Sequence, residues 1–213
     1  MKCDKKDLLL YAVTDRSWLN GKSLAQQVEE VLKGGATMLQ LREKDMDRGA
    51  FKAEAMEIKK ICDQYRVPLL INDDVDLAVE VGAAGVHVGQ HDMEAGQVRE
   101  KVGADVIVGV SARTVEQALA AQAAGADYLG VGAVFPTGTK PDAAEVGFDT
   151  LKAICAAVDI PVVAIGGIGA KNVSRLAGSG IAGVAVVSAL FARPDGERAA
   201  RELRALVEEV VSQ

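Results

Sequence analysis

An amide and two carboxylates stand together in Asn72-Asp73-Asp74, between the apolar run Val67-Pro68-Leu69-Leu70-Ile71 and the segment Val75-Asp76-Leu77-Ala78-Val79. The first flank reads as a buried strand and the second as a helix, so the polar group lies at a strand-to-helix joint. In a parallel barrel, residues that do chemistry gather at such strand ends. Nearby carboxylates suit a hard cation such as Mg²⁺, which keeps several waters and bridges to substrate phosphates. Asp73 or Asp74 could equally serve only to cap the following helix.

Other strand ends carry matching chemistry. Gly85-Val86-His87-Val88-Gly89-Gln90 is followed by His91 and Asp92. Neighbouring strands lie about 4.8 Å apart, so one divalent ion could reach both Asp73 and Asp92. His87 falls mid-strand and reads as a hydrogen-bonded interior residue rather than a base; His91 falls in a loop and has no assigned role. In Gln40-Leu41-Arg42-Glu43-Lys44 alternate residues share a face, which directs Gln40, Arg42 and Lys44 toward the mouth. Arg and Lys supply a planar fork and a point charge for phosphate oxygens. Ser111 could donate to a phosphate, carry a proton or cap the next helix, and Thr114 is an equal candidate for the cap. There is no Ser-His-Asp elbow around it. Thr137, Gly138, Thr139 and Lys140 have the composition of a phosphate cradle, without Walker-loop spacing. Gly166-Gly167 after one strand and Val187-Ser188 after another suit a backbone phosphate site.

The elements that position these residues alternate along the chain. Strand-like runs cover 8–14, 37–42, 68–72, 85–89, 106–111, 128–134, 161–166 and 183–188. Helix-like segments follow at 23–33, 48–65, 75–81, 94–102, 114–124, 148–158, 171–177 and 196–211. Eight units of about 25 residues predict an α/β fold, a single (β/α)₈ TIM barrel over residues 1–213. An open doubly wound sheet is disfavoured, because polar residues end nearly every strand rather than one switch point. Glycines between helix and next strand, as in Gly34-Gly35 and Gly125, fit left-handed helix ends on the opposite face.

Composition narrows the function. Hydrophobic residues make up 49% of the 213 and aromatics only 4%, so the core is aliphatic, as in parallel sheets covered by helices. A net charge of -6 leaves no broad basic face for nucleic acid. The three cysteines are scattered and have no metal-ligand spacing, which fits reduced thiols in the cytoplasm. No stretch is long enough to span a membrane, and the N-terminal apolar run is too short for a signal peptide. Expected partners are small molecules, with the chain a monomer or small homo-oligomer. The mouth combines two cations and two carboxylates, suited to a Mg²⁺-bound diphosphate, with bare amides suited to a monophosphate. Two phosphorylated reactants and a metal point to displacement of diphosphate from one by the other.

The runs Tyr11-Ala12-Val13-Thr14-Asp15, Gln40 to Lys44, Ile71-Asn72-Asp73, Gly85 to Gln90 with Asp92, Gly109-Val110-Ser111-Ala112, Pro136 to Lys140, Ala164 to Ile168 and Val187-Ser188 together resemble the thiamine phosphate synthases. The resemblance covers nearly the whole chain. It implies a barrel enzyme joining 4-amino-2-methyl-5-(diphosphooxymethyl)pyrimidine to a thiazole phosphate, or its carboxylated form, with release of diphosphate. It also implies that Gln40, Leu41, Arg42, Glu43, Lys44, Asn72, Ser111 and Lys140 hold the pyrimidine diphosphate. Asp73 and Asp92 would hold Mg²⁺, and Thr137, Gly138, Thr139, Gly167, Val187 and Ser188 the thiazole phosphate. Arg42, Lys44, Ser111 and Lys140 would stabilise the leaving group. One departure is Arg113, where the family often has histidine; it is expected to lie beyond the contact. The loop 136–146 is the expected mover. Alternatives are a thiazole tautomerase, a silent sensor of thiamine phosphate, and a sugar-phosphate isomerase, for which Asp15 is the one loose acid–base candidate.

Overall fold

A computed structural model describes residues 3–19, 21–138 and 145–213. Its strands are β1 (Leu10–Val13), β2 (Met38–Leu41), β3 (Leu69–Asn72), β4 (Gly85–Val88), β5 (Ile107–Ala112), β6 (Tyr128–Gly132), β7 (Val162–Ile165) and β8 (Gly183–Val186). They close into a barrel in chain order, and β8 pairs with β1 in parallel register. The expected open-sheet rival is thereby excluded.

Alternation along each strand divides the apolar residues between two cores. Tyr11, Val13, Met38, Leu70, Ile107, Tyr128, Val163 and Ala185 fill the barrel, with Leu8 among them. Leu8 ends a 3₁₀ turn, Lys5–Leu8, that precedes β1. Their neighbours Leu10, Ala12, Leu39, Leu41, Ile71, Val108 and Val110 face outward into the larger core beneath the helices. Burying each Val, Leu, Ile or Met side chain among them stabilises the fold by about 1.5–3 kcal/mol before chain entropy is set against it.

The helices are α1 (Leu24–Lys33), α2 (Arg48–Tyr65), α3 (Val75–Glu80), α4 (Ala95–Val102), α5 (Val115–Ala123), α6 (Phe148–Ala157), α7 (Ser188–Phe191) and α8 (Gly196–Val211). Ser23 starts α1 with a capping box to Gln26, and Asp47, Asp74, Thr114 and Asp195 cap α2, α3, α5 and α8. Gly34 ends α1 so close to α8 that a Cβ there would lie 2.3 Å from the Glu197 carbonyl oxygen. Among the described residues, no helix is long and apolar enough to cross a membrane.

One predicted helix does not form. Residues 171–177 contain only a 3₁₀ turn, Val173–Leu176. Asn172 precedes it but provides no cap, because its side chain is committed elsewhere, accepting from Gly169 N at 2.9 Å and donating to Gly167 O at 2.9 Å. Gly178 (φ 73°) and Gly180 (φ 89°) then turn the chain away from helical geometry. The short helix α7, immediately after β8, takes residues that the sequence assigns in part to the last strand.

Candidate active site

A cavity of about 450 Å³ opens at the carboxyl ends of the strands and draws lining residues from all eight of them. Strand pairing explains the convergence. Asn72 of β3 lies in register with His87 of β4, and Ser111 of β5 with Gly130 of β6, so the polar ends reach one level.

The β2–β5 side of the mouth is built from side chains. Gln40, Arg42 and Lys44 all line the cavity. The Arg42 backbone N–H is fixed by Thr14 Oγ1 at 3.0 Å, and its guanidinium lies 4.0 Å from Asp15. The alternatives at 73 and 74 resolve cleanly. Asp74 caps α3, accepting from Leu77 N at 2.8 Å, and also pairs with Arg48 at 2.9 Å. Asp73 instead lines the cavity, on a left-handed backbone (φ 62°) that is uncommon for a non-glycine residue. Asn72 Nδ2 donates to its carboxylate at 2.6 Å. Asp92 comes from the loop after β4, with Oδ2 accepting from Gly89 N at 2.7 Å, and it too lines the cavity.

The two acids interact. Burial, then the charge and hydrogen bonding of Asp92, push the Asp73 carboxyl up to about 6, while Asn72 and Arg42 pull it back. Crowded carboxylates of this kind fit a divalent cation that neutralises both. Among the described residues, no group of three or more His, Cys, Asp or Glu is placed to hold a metal by itself. Two acids match an ion that takes its remaining ligands from water and phosphate.

Ser111 faces the cavity, and the capping role falls to Thr114, whose Oγ1 accepts from Gln117 N at 3.2 Å. Behind Ser111 a polar chain crosses the barrel interior. Gln40 Nε2 donates to the Tyr11 hydroxyl at 2.6 Å, which meets the Tyr128 hydroxyl at 2.8 Å. The Tyr128 hydroxyl meets His87 Nδ1 at 2.8 Å, and His87 Nε2 meets Ser111 Oγ at 2.9 Å. His87 is thus the hydrogen-bonded interior residue its position predicts. The sequence reading missed Tyr11 and Tyr128. The signal was there: two of the chain's three tyrosines sit in apolar strand runs, where a buried hydroxyl needs a partner.

The β6–β8 side is nearly bare backbone. Gly166 (φ 99°) and Gly167 (φ 66°) follow β7 in left-handed conformations. A Cβ on Gly167 would lie 2.4 Å from the Pro136 carbonyl oxygen, and one on Gly166 2.5 Å from Ala133 Cα. Val187 and Ser188 open α7 without a side-chain cap, and both line the cavity, as do Gly167 and Thr137.

Some expected residues lie elsewhere. The Leu41 side chain is fully buried under the helices, so only its backbone borders the mouth strand. Glu43 turns away to Arg16 at 2.8 Å. There burial, reinforced by Glu54, pushes its carboxyl up to about 7 against the pull of Arg16. Gly138 is not among the lining residues, and Thr139 and Lys140 lie outside the described residues. Arg113, expected beyond the contact, lines the cavity together with Gln90 and His91, to which the sequence assigns no role. Burial pushes the Cys3 and Cys62 thiols up to about 12 and Cys155 to about 11, which disfavours a thiolate nucleophile.

Residues 10–190 match the family described as thiamine monophosphate synthase. The chain is 50% identical over 197 residues to the thiamine-phosphate synthase of Clostridium tetani, covering 92% of this chain and 94% of the relative. It is 50% identical over 199 residues to that of Ruminiclostridium cellulolyticum, covering 93% and 95%. The solved thiamine phosphate pyrophosphorylase of Pyrococcus furiosus superposes with a TM-score of 0.89 at 38% identity, covering 97% of this chain and 98% of that one.

Proposed function

The chain belongs to the thiamine monophosphate synthase family, and on that premise we propose that its mouth joins the pyrimidine methyl diphosphate to a thiazole phosphate, giving thiamine phosphate and diphosphate. The observation that carries the reading is the Asp73–Asp92 pair, set at the same opening as Arg42 and Lys44 and facing a rim of bare glycine. A thiazole tautomerase or a silent thiamine phosphate sensor has no use for that pair.

The reaction asks for charge stabilisation and alignment more than for acid–base groups. Arg42 and Lys44 bind the diphosphate oxygens, joined by Lys140 from outside the described residues. Gln40 and Asn72 orient the pyrimidine end. Asp73 and Asp92 would hold Mg²⁺, which would offset the charge that builds on the diphosphate. As the bond from the pyrimidine methylene to the diphosphate oxygen breaks, positive charge spreads into the aminopyrimidine ring. The thiazole nitrogen then forms the new bond, and the electron pair of the broken one leaves with diphosphate. Gly167, Val187 and Ser188, with Thr137 and, from outside the described residues, Thr139, hold the thiazole phosphate and set the angle of attack. Leu41 and Glu43 act through the backbone and through Arg16 respectively. We assign the whole chain to one catalytic domain working on small molecules in the cytoplasm, as a monomer or small homo-oligomer.

The test is to mix both substrates with the protein and Mg²⁺. Thiamine phosphate and diphosphate should appear in equal amounts and stop on chelation. Absence of product with metal present overturns the reading.

A further inference from the structure

We propose that the interior chain Gln40–Tyr11–Tyr128–His87–Ser111 is a polarised hydrogen-bond relay that presents the Ser111 hydroxyl to the cavity as a donor, which makes Tyr11, Tyr128 and His87 positioning residues. This rests on the reading that the departing diphosphate meets Ser111.

With the Gln40 amide nitrogen turned toward Tyr11, the polarity follows from counting hydrogens. The Gln40 amide nitrogen can only donate, and it donates to the Tyr11 oxygen. Tyr11 has one proton left to give, and the neighbouring oxygen is that of Tyr128. Tyr128 then gives its own proton to His87 Nδ1. A neutral imidazole with Nδ1 accepting carries its proton on Nε2. That N–H donates to Ser111 Oγ. With its oxygen already accepting from behind, Ser111 is left to aim its hydrogen into the cavity it lines. A donor fixed in that direction stabilises an anion without reorganising when charge develops.

The surroundings keep the two phenols neutral. Tyr11 and Tyr128 sit among Val13, Met38, Leu70 and Ile107. Burial there raises both phenols well above their usual range, so neither loses its proton. A cationic His87 would donate from both nitrogens and drive the Tyr128 proton back against that of Tyr11. Two glycines make the space. A Cβ at Gly109 would lie 2.2 Å from the Tyr128 ring, and one at Gly130 3.1 Å from His87 Cε1. The reverse polarity, with Gln40 Oε1 accepting from Tyr11, puts the proton on Nδ1 and turns the Ser111 hydrogen inward to Nε2. The two directions therefore predict opposite histidine tautomers and opposite roles for Ser111.

The chain has two histidines, so His91→Gln leaves His87 as the sole signal in a ¹⁵N-histidine NMR spectrum. The ligand-free protein should show Nε2 protonated and Nδ1 bare. A protonated Nδ1, in the opposite tautomer or in the cation, overturns the proposal. Tyr128→Phe should abolish the single tautomer and lower kcat about tenfold with KM unchanged, short of the roughly 10²-fold cost of losing a donor outright. In a Ser111→Ala background, Tyr128→Phe should cost nothing further, because it acts through that hydroxyl. An equal loss in both backgrounds makes Tyr128 merely structural and overturns the proposal. Tyr11→Phe gives the same comparison from the other end of the relay should Tyr128→Phe fold poorly. The tautomer is read without turnover, so failure to form thiamine phosphate would sink the assigned reaction and leave the relay standing.

Discussion

The two sides of the mouth solve one problem by different means. Along β2–β5 the cavity is lined by long or charged side chains: Arg42, Lys44, Asn72, Asp73 and Asp92. Along β6–β8 it offers main chain, exposed by Gly166 and Gly167 and by the uncapped start of α7. A diphosphate that must leave suits groups whose charge and protonation can respond. A phosphate that serves only as a handle suits groups that cannot. The side-chain half should therefore be sensitive to charge and pH, and the backbone half to volume.

The strongest contrast comes from the acids. Asp73→Asn keeps a residue type that tolerates the left-handed backbone, and Asp92→Ala removes the other acid. Either should reduce Mg²⁺-dependent turnover below detection with far-UV circular dichroism unchanged. Full activity at saturating Mg²⁺ would erase the distinction between the halves. Next, Lys140→Ala should lower kcat by roughly 10²-fold; a rise in KM with turnover intact would move Lys140 to simple ground-state binding.

On the backbone half, Gly167→Ala adds no charge but places a methyl 2.4 Å from a carbonyl oxygen at φ 66°. It should raise KM for the thiazole phosphate about tenfold, leave KM for the pyrimidine diphosphate unchanged, and destabilise the fold by about 1–3 kcal/mol. Steady-state kinetics with each substrate varied in turn would check this. An effect on both substrates alike would show that the halves are not separate.

The smallest effect concerns pH. The Asp73 carboxyl is raised from 3.8 to about 6 in the metal-free fold, so its charged form is disfavoured there. Its contribution to stability is complete below pH 3.8 and declines as pH rises through about 6. Mg²⁺ held by the two acids would reverse the preference by displacing the proton. Metal affinity measured by calorimetry should therefore weaken below about pH 6, and Asp73→Asn should remove that dependence along with most of the affinity. A flat profile in the unsubstituted protein would contradict the coupling of the two acids.

Much of this architecture was legible in residue order. The eight apolar runs each became a strand, because barrel strands buried on both faces leave continuous Val, Ile and Leu signatures. The break in helix over 171–177 was not legible, since a periodic segment cannot show that Asn172 is already tied into the preceding glycine loop. The strand ends pointed to the acids, but only the fold separates Asp74 the cap from Asp73 at the cavity, because both types suit both roles. Leu41 lay within a correct motif, yet period-two alternation sends its side chain to the outer core. Tyr11 and Tyr128 are 117 positions apart, and local pattern carries no information about which distant hydroxyl a buried phenol will find.

The hollow at Gly109 has an evolutionary consequence. The Tyr128 ring occupies the volume where a side chain on Gly109 would begin. Neither position can drift alone: enlarging the first ejects the aromatic, and shrinking the second leaves a void at the barrel's waist. Lineages descending from such an ancestor should inherit the two as a linked pair, exchanged together or not at all, even though nothing in either local stretch betrays the bond between them.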